Sequence, residues 1–568
     1  MPWPDRAPVV SPVGQWVVVP GYYAPVPTSP VDEAWAVSHG SVTTSGHWFG
    51  DPRRPLLGWL SAPAGALGSS GVLVLPDVGA QYWSSHRTLR VLAERLATAG
   101  HTVLRVDYDG TGDSAGDQWD PHRLDAWRSS AATGAAELRA LGCCHLTVVG
   151  VRLGGMLALL DGGTLEADEV VAWAPSASGK RHARGLRLLG EPIPRDAGLT
   201  SGGVVFTPQT LGALSELDLA RTLAAPAPRT LLLGEVAPKV VAHLEGLGGS
   251  VDHQDPGGSD VALDRSTEDA EAAEAVVDAI CEWMAHPAAP AGGRAPRRSS
   301  AKVDWRGARL TEEVVVVAGL VGVLTEPSEP RPGASTLVLL NPGSGSHVGP
   351  GRAWVEYARF AAVAGHRALR VDWRGWGESP DDGYAPGRPY DEHTYAETVE
   401  LVRALAADGH DRIVLSGLCA SAWMALQVAR VAPVVGVIAF NPQMYWQPGD
   451  PVLSQVDTGI ERTPRRLREE RGRRWGLWSA LDVLGLRSRV GRWLDEFTAA
   501  RLPVLVLFAE GDDGLDYLHN RLGRHLRRVL RQGVVRVEVV EGIDHGMHRA
   551  WLRPAVAEAV VAQLGRLG

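Results

Sequence analysis

Residues 412–429, RIVLSGLCASAWMALQVA, decide the fold. They read as an apolar strand, Arg412–Ser416, then the turn Gly417-Leu418-Cys419-Ala420-Ser421, then a helix, Ala422–Ala429. A strand that runs through so short a turn into a helix puts its central residue on a strained corner. Neighbours two positions to either side must then be small, as Gly417 and Ser421 are. The helix N-terminus under Cys419 favours a thiolate, so Cys419 is a candidate nucleophile. The plainer alternative is a small buried cysteine in an ordinary strand–helix corner.

Working outward, Thr336–Leu340, Ala368–Val371, Val434–Phe440, Val504–Phe508 and Arg536–Val540 are further short runs rich in β-branched and apolar residues. Such near-continuous apolar strands suit a parallel sheet covered on both faces. Trp354–Ala364 and Tyr395–Asp408 carry helical spacing between them. Strands alternating with helices predict a doubly wound, mostly parallel α/β sheet.

The same pattern occurs twice. Residues 99–114, AGHTVLRVDYDGTGDS, match residues 364–379, AGHRALRVDWRGWGES, at an offset of 265. Gly71–Ala80 pairs with Ser335–Ser344, and Val149–Gly154 with Ser416–Ser421, at nearly the same offset. A period this long means tandem domains. Ala288–Ala301, AAPAGGRAPRRSSA, reads as a linker. The expected organisation is an N-terminal arm over 1–30, a first domain over 31–287, the linker over 288–301 and a second domain over 302–568. Trp16–Val19 in the arm has the character of a strand that pairs at a sheet edge.

The whole chain has 568 residues and a net charge of −9, which gives no bulk electrostatic support for a nucleic-acid partner. Four cysteines, Cys143, Cys144, Cys281 and Cys419, are too few for a disulfide scaffold and too scattered for a zinc site. The start, Met1-Pro2-Trp3-Pro4-Asp5, lacks the regions of a signal peptide. Apolar runs such as Val314–Leu324 fall short of a membrane span. A soluble cytoplasmic protein is expected, with no metal and no dissociable cofactor.

At the elbow, and over both repeats, the chain resembles the α/β-hydrolase superfamily. The first copy, with Val171-Ala172-Trp173-Ala174-Pro175 and Ser178-Gly179-Lys180-Arg181, resembles hydrolase-like proteins associated with bacterial exopolysaccharide and exosortase clusters. The second resembles superfamily members with cysteine at the elbow, which include dienelactone hydrolases, polyhydroxyalkanoate synthases and some carrier-offloading thioesterases. The resemblance implies two tandem α/β-hydrolase domains, each a mostly parallel doubly wound sheet with a helical lid insertion.

It also implies a set of partners for Cys419. The triad acid belongs after the strand Val504–Phe508, where Asp512 matches best, with Asp513 as the close alternative and Asp516 further off. The base belongs at His545, in Glu541-Gly542-Ile543-Asp544-His545-Gly546, while His548 reads as a surface residue. Two backbone N–H groups would hold an oxyanion, one from Ala420 and one from the loop Asn341–Gly345, assigned to Ser344. Insertions over this fold's site form a lid, expected here over roughly 443–498. Glu461–Trp475 within it carries seven Arg against three Glu. Two readings stand for that stretch: a solvated helix anchored by Trp475, Trp478 and Trp493, or a basic lip for an anionic substrate or the phosphopantetheine arm of an acyl-carrier protein. Tyr445 and Trp446 are expected to line an acyl pocket.

In the first copy the elbow is Gly150-Val151-Arg152-Leu153-Gly154. A guanidinium is no nucleophile. Asp260 aligns loosely with His545, with His253 nearby, so the first domain reads as a pseudo-hydrolase. Arg152 is expected either to bind an anion or to pair with Asp260. The function expected of the second domain is acyl transfer from an ester or thioester, small or carrier-bound, through an acyl-cysteine. A plain hydrolase and a catalytically silent tandem scaffold that binds a partner are the alternatives.

Overall fold

The computed structural model describes residues 36–267, 269–285, 293, 296–343, 345–381, 389–444 and 489–567. The N-terminal arm, half of the linker, Ser344, Tyr445, Trp446, the basic stretch Glu461–Trp475 and Trp478 lie outside these.

Two nine-stranded sheets share one strand order, 1-2-3-5-4-6-7-8-9 counted along the chain within each sheet. In the first, Ala36–His39, Val42–Phe49 and Leu56–Pro63 pair antiparallel, and the remaining six strands run parallel to one another. In the second, Ser300–Trp305, Ala308–Val317 and Leu320–Glu326 form the antiparallel part and the other six the parallel part. The central parallel strands are buried because helices cover both faces, whereas the edge strands Ser250–Gln254 and Val535–Val540 are partly exposed. Ser70–Leu75 and Val504–Ala509 are buried at every residue. The run Val314–Leu324 is no single element. It turns back at Ala318 and Gly319, both with positive φ (52° and 77°), as a tight hairpin that follows the strands' twist requires.

The insertion between Glu169–Trp173 and Arg229–Leu233 of the first domain holds the expected helices, Gly179–Leu189, Pro208–Glu216 and Leu219–Thr222. It also holds a three-stranded antiparallel meander that the sequence did not signal: Glu191–Pro192, Leu199–Ser201 and Val204–Phe206. Its strands are too short to show a period, and glycines at 198, 202 and 203, all with positive φ, form its turns.

The repeated motif has one structural job in both domains. Asp107 Oδ2 accepts from the Asp113 N–H at 3.0 Å, and Asp372 Oδ2 from the Glu378 N–H at 2.9 Å. Gly112 and Gly377 must be glycine: a Cβ there would lie 2.0 Å and 2.1 Å from those carboxylates. The loop so built presents its acidic end to the other domain. Arg105 forks onto Glu378 at 3.0 and 2.5 Å, and Arg370, its counterpart at offset 265, meets Asp113. The two domains thus contact each other as the halves of a two-fold dimer do, residue i to j and j to i. His347 sits between, with Nε2 2.8 Å from Asp113 and Nδ1 2.6 Å from Asp372. Beside this charged centre, Trp48, Leu57 and Trp59 pack on Val303, Val314, Val321 and Val323. Gly46 lets the strands meet, because a Cβ there would be 2.3 Å from a Val314 methyl.

Candidate active site

In the second domain the strand Ile413–Leu418 ends at Cys419, and the helix Ala420–Val428 begins on the next residue. Cys419 has φ 59° and ψ −110°, a region that non-glycine residues occupy only where the surroundings impose it. The turn is stapled by Ser421, whose Oγ donates to the Leu418 carbonyl at 3.0 Å and accepts the Leu418 N–H at 2.9 Å. A Cβ on Gly417 would fall 2.4 Å from Ser421 backbone, which is the crowding that demands a small residue there. Ala420 is the first residue of the helix, so its N–H has no acceptor within the helix.

Asp512 and His545 come together with Cys419. Asp512 caps the helix Asp513–Leu530: its Oδ1 accepts the Gly514 N–H at 2.8 Å, which leaves Oδ2 to meet His545 Nδ1 at 2.6 Å. Asp513 opens the helix that Asp512 caps, and it is Asp512 that His545 Nδ1 meets. Burial disfavours a charged imidazole at 545, but hydrogen bonds to Asp512 and Cys419 and the charges of both override it and push the pKa up to about 11. At neutral pH the imidazole therefore carries a proton and lies against the sulfur. His548 is about half exposed and bonds Asp544 at 2.9 Å, in keeping with a surface residue.

Asn441, which the sequence reading did not single out for this role, fixes the histidine from behind. It sits at the end of the strand Gly436–Phe440 with φ 44°, where asparagine is among the few tolerated side chains. Its Nδ2 donates to the His545 carbonyl at 2.8 Å, and its Oδ1 accepts the Ala509 N–H at 2.6 Å. Asn341 does similar work on the opposite loop, donating to Asp372 and to the Gly345 carbonyl, each at 2.9 Å. Asp372, part of the repeated motif, thus ties the loop expected to carry the second oxyanion donor. Ser344 itself lies outside the described residues. So do Tyr445 and Trp446. Trp493 is buried as an anchor would be: it is 3% exposed and meets Trp423 edge-on at 6.4 Å, under the elbow helix.

The first domain repeats the elbow without its chemistry. Arg152 takes the same conformation, φ 50° and ψ −110°. Its Nη2 reaches Asp264 at 3.1 Å, not the expected Asp260, which opens the short helix Asp260–Leu263 that ends just before Asp264. The Leu153 N–H, equivalent to that of Ala420, donates to Asp77 Oδ1 at 3.1 Å. Burial pushes the Asp77 carboxyl up, against the pull of His182, the Leu153 and Val78 N–H groups and Arg152. The protein's own carboxyl group fills the place an oxyanion would need. Strand register sets Pro342 opposite Asp77, one residue away from the sequence pairing, and proline offers no such plug. Arg152→Ala is expected to leave turnover within about twofold of wild type, and Arg152→Cys to gain no labelling by acylating probes. Peptide-level mass spectrometry of position 152 checks the second, and an acylated peptide carrying the label at that position would show the first-domain site to be open.

The model of an alpha/beta hydrolase family matches residues 337–563. No curated protein matches the chain. Among solved structures, the chain is similar to Est1E from Butyrivibrio proteoclasticus with bound ferulic acid, at 17% identity and TM-score 0.33, over 42% of this chain and 97% of that one. It is similar to a dienelactone hydrolase from Anabaena variabilis, at 14% and 0.31, over 45% and 98%. TT1662 from Thermus thermophilus gives 18% and 0.31, over 46% and 98%. The fold is two nine-stranded, mostly parallel α/β sheets in tandem, and the family match falls on the second. Among the described residues no helix is long and apolar enough to cross a membrane.

Proposed function

We propose that the second domain is an acyl-transfer enzyme that works on an ester or thioester through an acyl-cysteine at Cys419. The observation that carries this reading is the line of contacts from Asp512 through His545 to Cys419, at the strained corner where the helix Ala420–Val428 begins. In the attack, the sulfur adds to the substrate carbonyl, and the carbonyl oxygen takes the negative charge. The Ala420 N–H and an N–H of the loop 341–345 receive that oxyanion. As the tetrahedral intermediate collapses, the bond to the leaving alkoxide or thiolate breaks and the imidazolium supplies its proton. An acyl-cysteine and a neutral imidazole remain. The imidazole then takes a proton from an incoming amine, alcohol or water. That nucleophile attacks the thioester, and Cys419 leaves as thiolate beside the restored imidazolium. Asp512 keeps Nε2 directed at the sulfur throughout and stabilises the positive ring.

Transfer is placed ahead of hydrolysis because an acyl-cysteine is a thioester, which reacts readily with amines. The acyl donor is expected to be small or carried on a phosphopantetheine arm, with an acyl-carrier protein as the partner in the second case. Product partition tests the reading. With an acyl-thioester and a varied amine or alcohol acceptor, adduct is expected to overtake free acid as the acceptor concentration rises. Free acid at every acceptor concentration, with Cys419→Ser acting as an ordinary esterase, would leave a hydrolase instead.

A further inference from the structure

We propose that the silent first domain positions the histidine loop of the second, with Glu191 acting through Arg549. The proposal rests on the reading of Cys419, His545 and Asp512 given above, and it assigns the first domain a part in a reaction to which it contributes no reacting atom.

The loop Gly542–Arg549 leaves the last strand of the second sheet, Val535–Val540, and carries His545 near its middle. On its inner side it is held by Asn441 and Asp512, as described. On its outer side the hold comes from the other domain. Arg549 donates through Nη1 to the Gly542 carbonyl and so clamps the two ends of the loop together. The same guanidinium meets Glu191 Oε1 of the first-domain meander, with Nε at 2.6 Å and Nη2 at 2.5 Å. Inside the loop, Asp544 accepts the Arg549 N–H at 3.2 Å, one residue before the histidine. A shift of Arg549 is therefore passed to His545 through Gly542 and Asp544.

The meander is itself fixed to the second domain, so Glu191 is a fixed point rather than a loose tether. Gly203 and Gly351 meet backbone to backbone: a Cβ on Gly351 would lie 2.4 Å from the Gly203 Cα. The fully buried Arg553 donates to the carbonyls of both, at 2.8 and 2.7 Å. Gln118 closes the node, accepting the Val205 N–H at 2.9 Å and donating to the Gly351 carbonyl at 3.1 Å. Ile193 and Val205 pack on Ala550, next in sequence to Arg549. The first-domain meander thus reaches both sides of the site, through Gly351 to the loop ahead of it and through Arg549 to the histidine loop.

Glu191 and Arg549 are each about one-third exposed, so solvent screens the pair and its removal should hardly affect folding. Positioning is more demanding, because a 1 Å misplacement of a catalytic group costs on the order of 10² in rate. The test reads the site without any substrate. Alkylation of Cys419 by iodoacetamide is followed by peptide mass spectrometry across pH in wild type, His545→Ala, Glu191→Gln, Arg549→Gln and the double variant Glu191→Gln/Arg549→Gln. Glu191→Gln is expected to slow Cys419 alkylation at pH 7 by roughly tenfold and to move its pH profile toward that of His545→Ala, a shift that a purely structural ion pair would not cause. The double variant is expected to lose no more than the stronger single one, because the two residues act through each other. A normal dependence on His545 with an unchanged profile in Glu191→Gln overturns the positioning role alone. An unchanged profile in His545→Ala overturns the catalytic reading, and the positioning role with it.

Discussion

Cys419→Ala and His545→Ala are each expected to abolish acyl-enzyme formation while leaving the fold intact, and Asp512→Asn to lower turnover by about 10⁴. The sizes differ because the roles differ. Without the sulfur no acyl-cysteine forms. Without the imidazole nothing lies against the sulfur to take and return the proton. Asparagine at 512 keeps the shape but reverses the hydrogen bond. Its amide N–H would face Nδ1, so the ring would have to carry its proton on Nε2, the nitrogen that must accept. The charge that helps hold the His545 pKa at about 11 is lost as well. The alkaline limb of the pH–rate profile is informative here. A raised imidazole pKa means that, in wild type, the protonated ring persists from acid through neutral pH and is lost only as pH approaches about 11. In Asp512→Asn that loss should begin several units lower. Intact-mass spectrometry after acyl-thioester treatment, alongside steady-state rates, reads each variant. A silent Asp512→Asn with a dead Asp513→Asn would move the acid to the neighbouring residue.

Much of this was legible in the residues because local sterics leave few ways to arrange them. A nucleophile two positions from Gly417 and two from Ser421, between an apolar strand and a helix, has one geometry open to it, and Cys419 adopts it. Asp512 and His545 rest instead on the resemblance, which implies an acid after the strand Val504–Phe508 and a base after the strand Arg536–Val540. What was not legible depends on partners remote in the chain. The repeat showed that Arg105 and Arg370 share a position, as do Asp113 and Glu378, but not that each arginine reaches across to the other domain's acid. Asn441 carries no motif, and its task follows from a backbone angle that only the fold imposes. Asp77 looks like any loop carboxyl until the Leu153 N–H is found donating to it. Arg152 found Asp264, about one helical turn beyond Asp260, a shift along the chain that a loose alignment does not resolve.

Asp113→Asn should be the most destabilising single change at the domain interface, lowering stability by about 3–5 kcal/mol, the usual cost of breaking a buried ion pair from one side. Asp113, Arg370 and Glu312 are all 0% exposed. Desolvation raises the pKa of the Asp113 carboxyl, yet Arg370 and His347 hold it well below the usual carboxylate range. Asparagine keeps the shape and removes the charge, so Arg370 is left with Glu312 at 3.5 Å and His347 with Asp372 alone. His347 gives the change a pH signature. Burial disfavours its charged form, but Asp372 and Asp113 raise its pKa well above the usual histidine value. A raised value stabilises the fold fully below the unfolded pKa near 6.5, and that contribution is lost as pH rises through the folded value. Wild type should therefore weaken steadily on the alkaline side of about pH 6.5, and Asp113→Asn, with one carboxylate fewer on the imidazole, should show a shallower slope there. Urea unfolding of the full chain between pH 6 and 9 measures both quantities. A loss under about 1 kcal/mol with an unchanged slope would mean that the interface does not depend on this charge, and that Trp48, Leu57 and Trp59 against the valines of the second domain hold the halves together on their own.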